Sequence, residues 1–126
     1  MIVHDTSALL FWTVDPAQLS SKAKQAIEEA VRILVSSISV WEIALKVKRQ
    51  KLVLPLPLAV YVERPGHLER LEILPVAGRT WLKNQDLPWE HRYPADRTVV
   101  ALASRFACPL ITSDRVIAHY FQETIR

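Results

Sequence analysis

Cysteine and long apolar runs are the scarcest features of this chain of 126 residues. Its single cysteine, Cys108, excludes an internal disulfide bond, and no Cys/His spacing resembles a zinc site. No stretch reaches the ~20 consecutive apolar residues that a membrane-spanning helix needs. The first residues form a short strand-like run, not the basic region and long apolar segment of an export signal. These absences predict a soluble, cytoplasmic protein.

The chain also lacks internal repeats, low-complexity segments and linkers. Half of its residues, 50%, are apolar, and its charges are mixed in sign, with a formal net charge of +3. This composition is typical of a globular protein rather than a disordered one. A chain of this length can bury one core without crosslinks, and we predict a single domain over residues 1–126.

Short β-branched runs alternate with segments of helical periodicity. The pattern predicts strands at residues 1–4, 33–36, within 71–76, 109–112 and, as a short edge strand, 124–125. It predicts helices at residues 22–30, 58–64, 80–85, 95–106 and 115–120, and a further helix that Ser37 or Ser39 caps and that runs to about residue 50. The alternation favours an α/β fold with a central, mostly parallel sheet of four to five short strands and helices on both faces.

Carboxylates occur at the junctions of these predicted strands and helices. Asp5 and Asp114 each follow an apolar run, whereas Glu42 and Asp96 lie in the first turns of predicted helices. Parallel sheets bind ligands outside the carboxyl ends of their strands, so acids at such junctions are expected to converge. Converging carboxylates repel one another unless cations lie between them, and the pattern therefore predicts a divalent metal site.

Each of these acids also has a simpler interpretation. Asp5 and Asp114 are good helix N-caps. Glu42 can pair with Lys46 one helical turn later, and Asp96 can stabilise the dipole of its own helix. For Asp5 alone the N-cap interpretation is the stronger one. The joint placement of the acids at one predicted sheet edge is what favours a shared site.

The ligand types predict the metal and its chemistry. Carboxylates, hydroxyls and water suit Mg²⁺ or Mn²⁺, whereas zinc and copper favour His or Cys. Ser7 and Thr112 are candidate supporting residues, through a metal-bound water or a hydrogen bond. Two metals roughly 3.5–4 Å apart activate a water and stabilise the leaving oxygen of a phosphodiester. The expected reaction is metal-dependent phosphodiester hydrolysis, with the number of metals left open.

Basic side chains flank the predicted site. A cluster of bases follows Glu42, and arginines flank the two late acids, which suits a substrate held by its phosphates. A solvated helix face is the simpler explanation of the basic run alone. The candidate RNA-phosphate contacts are Lys46, Arg49, Arg92, Arg97 and Arg115.

Several stretches of the chain resemble the PIN-domain family, and in particular the VapC-type toxins of bacterial toxin–antitoxin pairs. They are DTSALL at 5–10, VSSISVWEI at 35–43, LP at 87–88, HR at 91–92 with DR at 96–97, and LITSD at 110–114. The resemblance implies a three-layer α/β/α PIN-like fold and a Mg²⁺- or Mn²⁺-dependent ribonuclease. It also implies a homodimer and a cognate antitoxin that inserts a C-terminal segment into the active site.

Matched by motif, Asp5, Glu42 and Asp96 correspond to the core acids of the family and Asp114 to its more variable fourth acid. The chain departs from the pattern at Tyr93, where similar toxins often carry an Asp. A second departure is the break at 65–66, which is expected to shorten a helix that often helps to bind antitoxin.

Two other enzyme classes place an Asp after a first strand, but their remaining residues are missing. Haloacid-dehalogenase-like phosphatases need Asp-x-Asp, and Ser7 replaces the second acid; response-regulator receivers need adjacent early acids and a late Lys. The remaining alternative is a non-catalytic PIN-like module that binds RNA or protein. Among other residues, His4 is expected in the core or at a sheet edge, Trp12 and Trp41 in the core, and Trp89 at the surface.

Overall fold

Five parallel strands form the centre of the molecule in a computed structural model that describes residues 1–64 and 70–126. The strands are β1 (Ile2–His4), β2 (Ile33–Ser36), β3 (Leu71–Leu74), β4 (Leu110–Ile111) and β5 (Thr124–Ile125). Their order across the sheet is β3-β2-β1-β4-β5, and every pairing is parallel. The predicted parallel sheet is therefore confirmed, including its edge strand at 124–125.

Helices connect the strands and cover both faces of the sheet. They are α1 (Thr6–Val14), α2 (Ser21–Glu29), α3 (Ser37–Lys48), α4 (Leu58–Glu63), α5 (Gly78–Asp86), α6 (Pro94–Phe106) and α7 (Arg115–Tyr120), with a short 3-10 turn at Pro16–Gln18. Within the two described segments, no helix is both long enough and apolar enough to cross a membrane.

The core has two halves, one on each face of the sheet. Ile33 and Val35 of β2 pack with α1, α2, α3 and α4 on one face, whereas Leu34, between them, packs with α6 and α7 on the other. Successive residues of a strand point to opposite faces, so a strand buried on both sides reads as a continuous apolar run. The architecture is thus the three-layer α/β/α fold that the sequence predicted.

The strand order places a topological switch point at β1. From β1 the chain first builds one side of the sheet with β2 and β3, and then returns to the other side of β1 to add β4 and β5. The loops that leave β1 and β4 therefore diverge at the carboxyl edge of the sheet and open a crevice there. Asp5 and Asp114 lie in these two loops.

Several predicted boundaries differ from the observed ones. The N-cap of α3 is Ser36, whose side chain accepts a hydrogen bond from the Ile38 amide, rather than Ser37 or Ser39. Helix α5 extends beyond residues 80–85 at both ends, whereas β3 lies within the predicted range 71–76. The predicted break at 65–66 lies outside the described residues.

Candidate active site

The four predicted acids line a single cavity at the carboxyl edge of the sheet. The volume of the cavity is about 130 Å³. Its lining residues are Asp5, Thr6, Ser7, Glu42, Lys46, Ala95, Asp96, Val99 and Asp114. These residues come from α1, α3, α6 and the two loops at the switch point, so chain segments about a hundred residues apart meet here.

Asp5 is buried and is held by two hydrogen bonds. Its Oδ1 accepts from the amide of Ala8 at 2.7 Å, which makes Asp5 the N-cap of α1. Its Oδ2 accepts from the hydroxyl of Thr112 at 2.5 Å, across the boundary between β1 and β4. Asp5 is thus both the N-cap of α1 and part of the lining of the acidic cavity.

Asp114 is positioned by its own backbone and by the helix that follows. Its amide donates to the Thr112 hydroxyl at 3.0 Å, and its Oδ1 accepts from the amides of Val116 and Ile117 at 2.8 and 3.3 Å. Thr112 therefore contacts both Asp5 and Asp114 through one hydroxyl group. This sharing fixes the spacing of the two acids at the switch point.

Asp96 makes a hydrogen bond that the sequence did not predict. Nε2 of His91 lies 2.7 Å from its Oδ2, at the entrance to α6. The His91 ring stacks on Trp89, with centroids 4.5 Å apart, and Trp89 stacks in turn on Tyr120 of α7 at 4.6 Å. The aromatic stack thus orients the imidazole toward Asp96, and Trp89 is half-buried rather than at the surface as expected.

The side chain of Arg97 binds backbone carbonyl oxygens of the loop that precedes α6. Its guanidinium group donates to the carbonyl oxygens of Trp89 and His91, and also to the side chain and carbonyl of Asn84 in α5. A guanidinium group has five N–H donors in a fixed plane, which suits such a multiple contact. Arg97 was predicted to contact an RNA phosphate, but its donors bind groups within the protein instead.

The other predicted bases differ in their distance from the acids. Lys46 lines the acidic cavity itself, one helical turn after Glu42. Arg49 lines an adjoining cavity that also contains Glu42. Arg92 and Arg115 are exposed and outside the lining of the acidic cavity.

The predicted support Ser7 also lines the cavity, together with Thr6, which was not singled out in the sequence. The buried Thr6 hydroxyl donates to the Ser39 hydroxyl at 2.9 Å and joins the starts of α1 and α3. The only available signal was its place between Asp5 and Ser7, because its partner in α3 is 33 residues away.

Burial and the negative charge of neighbouring acids raise the pKa of Asp5 and the pKa of Asp96. The pKa of Asp5 is raised to about 6, chiefly by burial and to a smaller extent by the charges of Asp96 and Asp114, while its hydrogen bonds to Thr112 and Ala8 act in the opposite direction. Burial also raises the pKa of Asp96, where the His91 hydrogen bond acts in the opposite direction and Asp114 and Glu42 add to the increase. The charge of each neighbouring acid thus contributes to the raised pKa of Asp5 and of Asp96, as expected for groups in one electrostatic site.

The oxygen donors of the cavity suit a hard divalent cation, although its acidic side chains are not close enough together to form a complete metal-ligand set. In the part of the chain that the structure describes, no group of three or more His, Cys, Asp or Glu side chains is arranged to hold a metal ion. Mg²⁺ commonly binds through only one or two carboxylates and keeps several waters. The oxygen-only donor set therefore fits Mg²⁺ or Mn²⁺ with water completing the shell.

Comparisons with known proteins agree with this fold. A family model described as PIN domain matches residues 2–121. A curated relative, Ribonuclease VapC22 of Mycobacterium tuberculosis, is 29% identical over 116 residues, which cover 90% of this chain and 87% of the relative.

Two solved structures share the fold. One is described as a toxin-antitoxin complex from Klebsiella pneumoniae and the other as FitAcB from Neisseria gonorrhoeae. Each is 18% identical with a TM-score of 0.65, and each match covers 100% of this chain and 97% of the other. At this identity the structures support the fold. Since the family model spans nearly all of the sequence, the chain belongs to the PIN domain family.

Proposed function

We propose that this protein is a Mg²⁺- or Mn²⁺-dependent endoribonuclease that hydrolyses RNA phosphodiester bonds. The observation that carries the proposal is the convergence of Asp5, Glu42, Asp96 and Asp114 on one cavity at the switch point of a PIN domain. The similarity to a protein named Ribonuclease VapC22 supports the substrate class.

The side chains leave oxygen atoms available to a cation. His91 contacts Oδ2 of Asp96 and the α7 amides contact Oδ1 of Asp114. Among residues 1–64 and 70–126, nothing donates to Oδ1 of Asp96 or Oδ2 of Asp114, which are therefore available to a ligand. Each Asp5 oxygen accepts one hydrogen bond and retains a further lone pair. Glu42 approaches the same space from α3. These four acids are the proposed metal ligands, one or two of them binding directly and the others through bound water.

A bound divalent cation supplies charge neutralisation and an activated water for attack on phosphorus. The protein contributes the placement of the reacting groups. Lys46, beside the acids, is positioned to contact a phosphate oxygen of the scissile bond. Ser7 belongs to the part of the lining that α1 supplies, and it can hydrogen-bond a water or substrate oxygen. The Thr112 hydroxyl, which is hydrogen-bonded to the Asp5 side chain and to the Asp114 amide, holds these two acids at a fixed spacing.

We further propose that the protein is the toxin of a toxin–antitoxin pair, neutralised by a cognate antitoxin, and that it forms a homodimer in the cytoplasm. The support is the similarity to a VapC ribonuclease and the shared fold with a structure described as a toxin-antitoxin complex. Arg49, Arg92 and Arg115 remain proposed phosphate contacts, since all three are exposed.

Cleavage of total RNA by the purified protein tests the nuclease. We expect cuts in Mg²⁺ or Mn²⁺ that disappear in EDTA and in an Asp5→Asn variant, with a loss of at least roughly 100-fold. Asp86→Asn, at the exposed end of α5, is the matched control for loss of one carboxylate and should cleave like the wild type.

Two other outcomes would change the assignment. If the wild type and Asp5→Asn cut RNA equally, the activity does not come from this site. If the wild type binds RNA or an antitoxin without cutting any RNA, the protein is the non-catalytic binding module instead. Mn²⁺ binding separates these cases, because a catalytic site should lose Mn²⁺ affinity in Asp96→Asn.

A further inference from the structure

Helix α7 ends in a tyrosine whose ring belongs to a stack of three aromatic side chains. The Tyr120 ring lies nearly parallel to the Trp89 ring, with centroids 4.6 Å apart and an angle of 6° between the planes. The Trp89 ring also stacks on the imidazole ring of His91, with centroids 4.5 Å apart and 27° between the planes. Stacked rings attract each other in a preferred geometry, so each ring in this stack restricts the orientation of the next.

One end of the stack contacts a carboxylate of the acidic cavity. Nε2 of His91 lies 2.7 Å from Oδ2 of Asp96, and Asp96 lines that cavity. The side chains of His91 and Asp96 are 15% and 25% exposed, so little water competes for this contact. A hydrogen bond weakens steeply when its donor and acceptor lose alignment. A rotation of the imidazole ring would therefore change the direction in which Asp96 is held.

The opposite end of α7 carries another acid of the cavity. Asp114 is the N-cap of α7, and its Oδ1 accepts from the amides of Val116 and Ile117. The helix has six residues, which span about 9 Å. Ile117, between its two ends, is buried in the core and fixes the helix against the sheet. One short helix thus connects Asp114 to the aromatic stack and, through the stack, to Asp96.

The backbone of the loop that carries Trp89 and His91 is held by other contacts. Arg97 donates to the carbonyl oxygens of both residues, and its guanidinium group is bonded in turn to Asn84 of α5. Loss of the Tyr120 ring should therefore leave the course of the loop unchanged. What the stack restricts is the rotation of the Trp89 and His91 side chains about their own bonds.

We infer that Tyr120 is a positioning residue of the candidate active site. Through Trp89 and His91 it fixes the direction of Asp96 relative to Asp114, and with it the affinity of the acidic cavity for a divalent cation. Tyr120 is outside the lining of that cavity, so it acts on the cation through the side chains between them. The inference rests on the proposed metal-dependent function and adds to it a residue remote from the acids.

Calorimetric titration of the purified protein with Mn²⁺ tests this role. Tyr120→Leu removes the ring but keeps an apolar side chain, and we expect Mn²⁺ affinity to fall roughly three- to tenfold, less than for a partner in direct contact with a ligand. Tyr120→Phe retains a ring that stacks and should bind Mn²⁺ like the wild type. Phe106→Leu is the matched control, because it removes a half-buried ring from the same half of the core, at the end of α6 remote from Asp96. It should bind Mn²⁺ normally.

Two further measurements distinguish positioning from a general loss of stability. In a His91→Phe background the path to Asp96 is already interrupted, so adding Tyr120→Leu should cause no further loss of Mn²⁺ affinity, as expected for residues of one network. Proton NMR of the metal-free protein reports the imidazole directly, because the ring current of Trp89 shifts the His91 ring protons. Those signals, identified by their absence in His91→Gln, should move in Tyr120→Leu and stay in place in Phe106→Leu.

The outcomes separate this inference from the proposed function. If Tyr120→Leu binds Mn²⁺ with wild-type affinity, or loses affinity equally in the His91→Phe background, the positioning role is wrong and the nuclease is unaffected. If the wild type binds Mn²⁺ but cuts no RNA, the nuclease is wrong and the Mn²⁺ affinities of the variants still decide the positioning role. If Tyr120→Leu does not fold, Trp89→Leu interrupts the same path and carries the same expectations. A wild type that binds no Mn²⁺ contradicts both proposals.

Discussion

Asp5 has two roles in the structure with opposite electrostatic demands. As the N-cap of α1 it accepts from the Ala8 amide, an interaction that favours the carboxylate. As a buried neighbour of Asp96 and Asp114 it is pushed toward the protonated form, and its pKa rises to about 6. The second effect dominates in the protein without metal. Burial is the largest cause of this rise, and a bound cation would favour the carboxylate form without removing the cap.

Asp5→Asn is therefore expected to stabilise the metal-free protein at alkaline pH. The unfolded chain releases the Asp5 proton near 3.8 and the folded protein near 6, so stability falls as pH rises through that window and the full penalty persists above it. Asn keeps the N-cap and carries no charge. We expect a gain of roughly 1–3 kcal/mol at pH 8.

Urea unfolding in EDTA at pH 8 and at pH 4.5 measures this effect. The gain should shrink at the lower pH, where Asp5 is protonated in the folded wild type. Asp86→Asn, an exposed acid, should show no such pH-dependent gain. An Asp5→Asn variant that is less stable than the wild type at pH 8 would mean that the cap outweighs the charge.

His4 makes the stability of the protein depend on pH in the direction opposite to that of Asp5. It is fully buried beside Trp12, neither ring nitrogen has a hydrogen-bond partner among the described residues, and burial lowers its pKa to about 3. The unfolded chain takes up a proton below about 6.5. Stability is therefore lost as pH falls from 6.5 toward 3.

We expect His4→Phe to remove this acid sensitivity. Phe preserves the edge-to-face contact with Trp12 and has no unpaired polar atom to bury. Urea unfolding at pH 7 and pH 5 should show a smaller loss of stability in the variant than in the wild type. His119→Phe, at an exposed position in α7, should lose as much as the wild type. An unchanged pH slope in His4→Phe would contradict the assignment.

The loop before α6 is held by hydrogen bonds to its backbone and by stacked aromatic rings. Arg97 fixes its backbone through carbonyl oxygens, and the stack of Trp89 on Tyr120 supports the His91 ring. Both sets of contacts hold His91 in place, and its imidazole ring contacts Asp96. A hydrogen-bonded partner behind a metal ligand orients the carboxylate, and its loss typically reduces metal affinity or activity 10- to 100-fold.

His91→Phe tests this positioning role. The phenyl ring retains the stack on Trp89 but cannot contact Asp96. We expect Mn²⁺ affinity, measured by calorimetry, and RNA cleavage to fall about tenfold, with little change in Tm. His91→Gln, which keeps a donor, should recover part of both. Equal Mn²⁺ affinity in His91→Phe and the wild type would show that the hydrogen bond is dispensable for metal binding.

For the entire fold, metal binding and stability should be coupled through the same acids. A ligand that binds only the folded state stabilises it by about 2.7 kcal/mol at a concentration 100 times its Kd. Mn²⁺ must displace the Asp5 proton below about pH 6, so the increase in Tm should be larger at pH 8 than at pH 5.

Thermal unfolding with and without Mn²⁺ at the two pH values checks this coupling. Asp96→Asn should lose most of the increase in Tm at pH 8, whereas Asp86→Asn should retain it. If Mn²⁺ raises the Tm of Asp96→Asn and the wild type equally, the stabilising ion binds elsewhere.

Local sequence patterns predicted much of the fold and the identity of the acids. A short β-branched run such as 33–36 reads as a strand because both faces of a parallel sheet are apolar, and an acid directly after such a run must lie at the carboxyl edge. The resemblance to PIN domains rested on the same residues and is confirmed by the family model. The role of each acid in metal binding stays a prediction.

Tertiary packing decided what periodicity cannot encode. Trp41 and Trp89 have similar apolar character, yet the first is exposed and the second is stacked between His91 and Tyr120. Arg97 looked like a surface cation, but the carbonyls that bind it come from a loop and a helix whose approach no local pattern reveals. Spacing along a chain predicts which face a side chain shares with its neighbours, whereas its contacts depend on which distant element packs against that face.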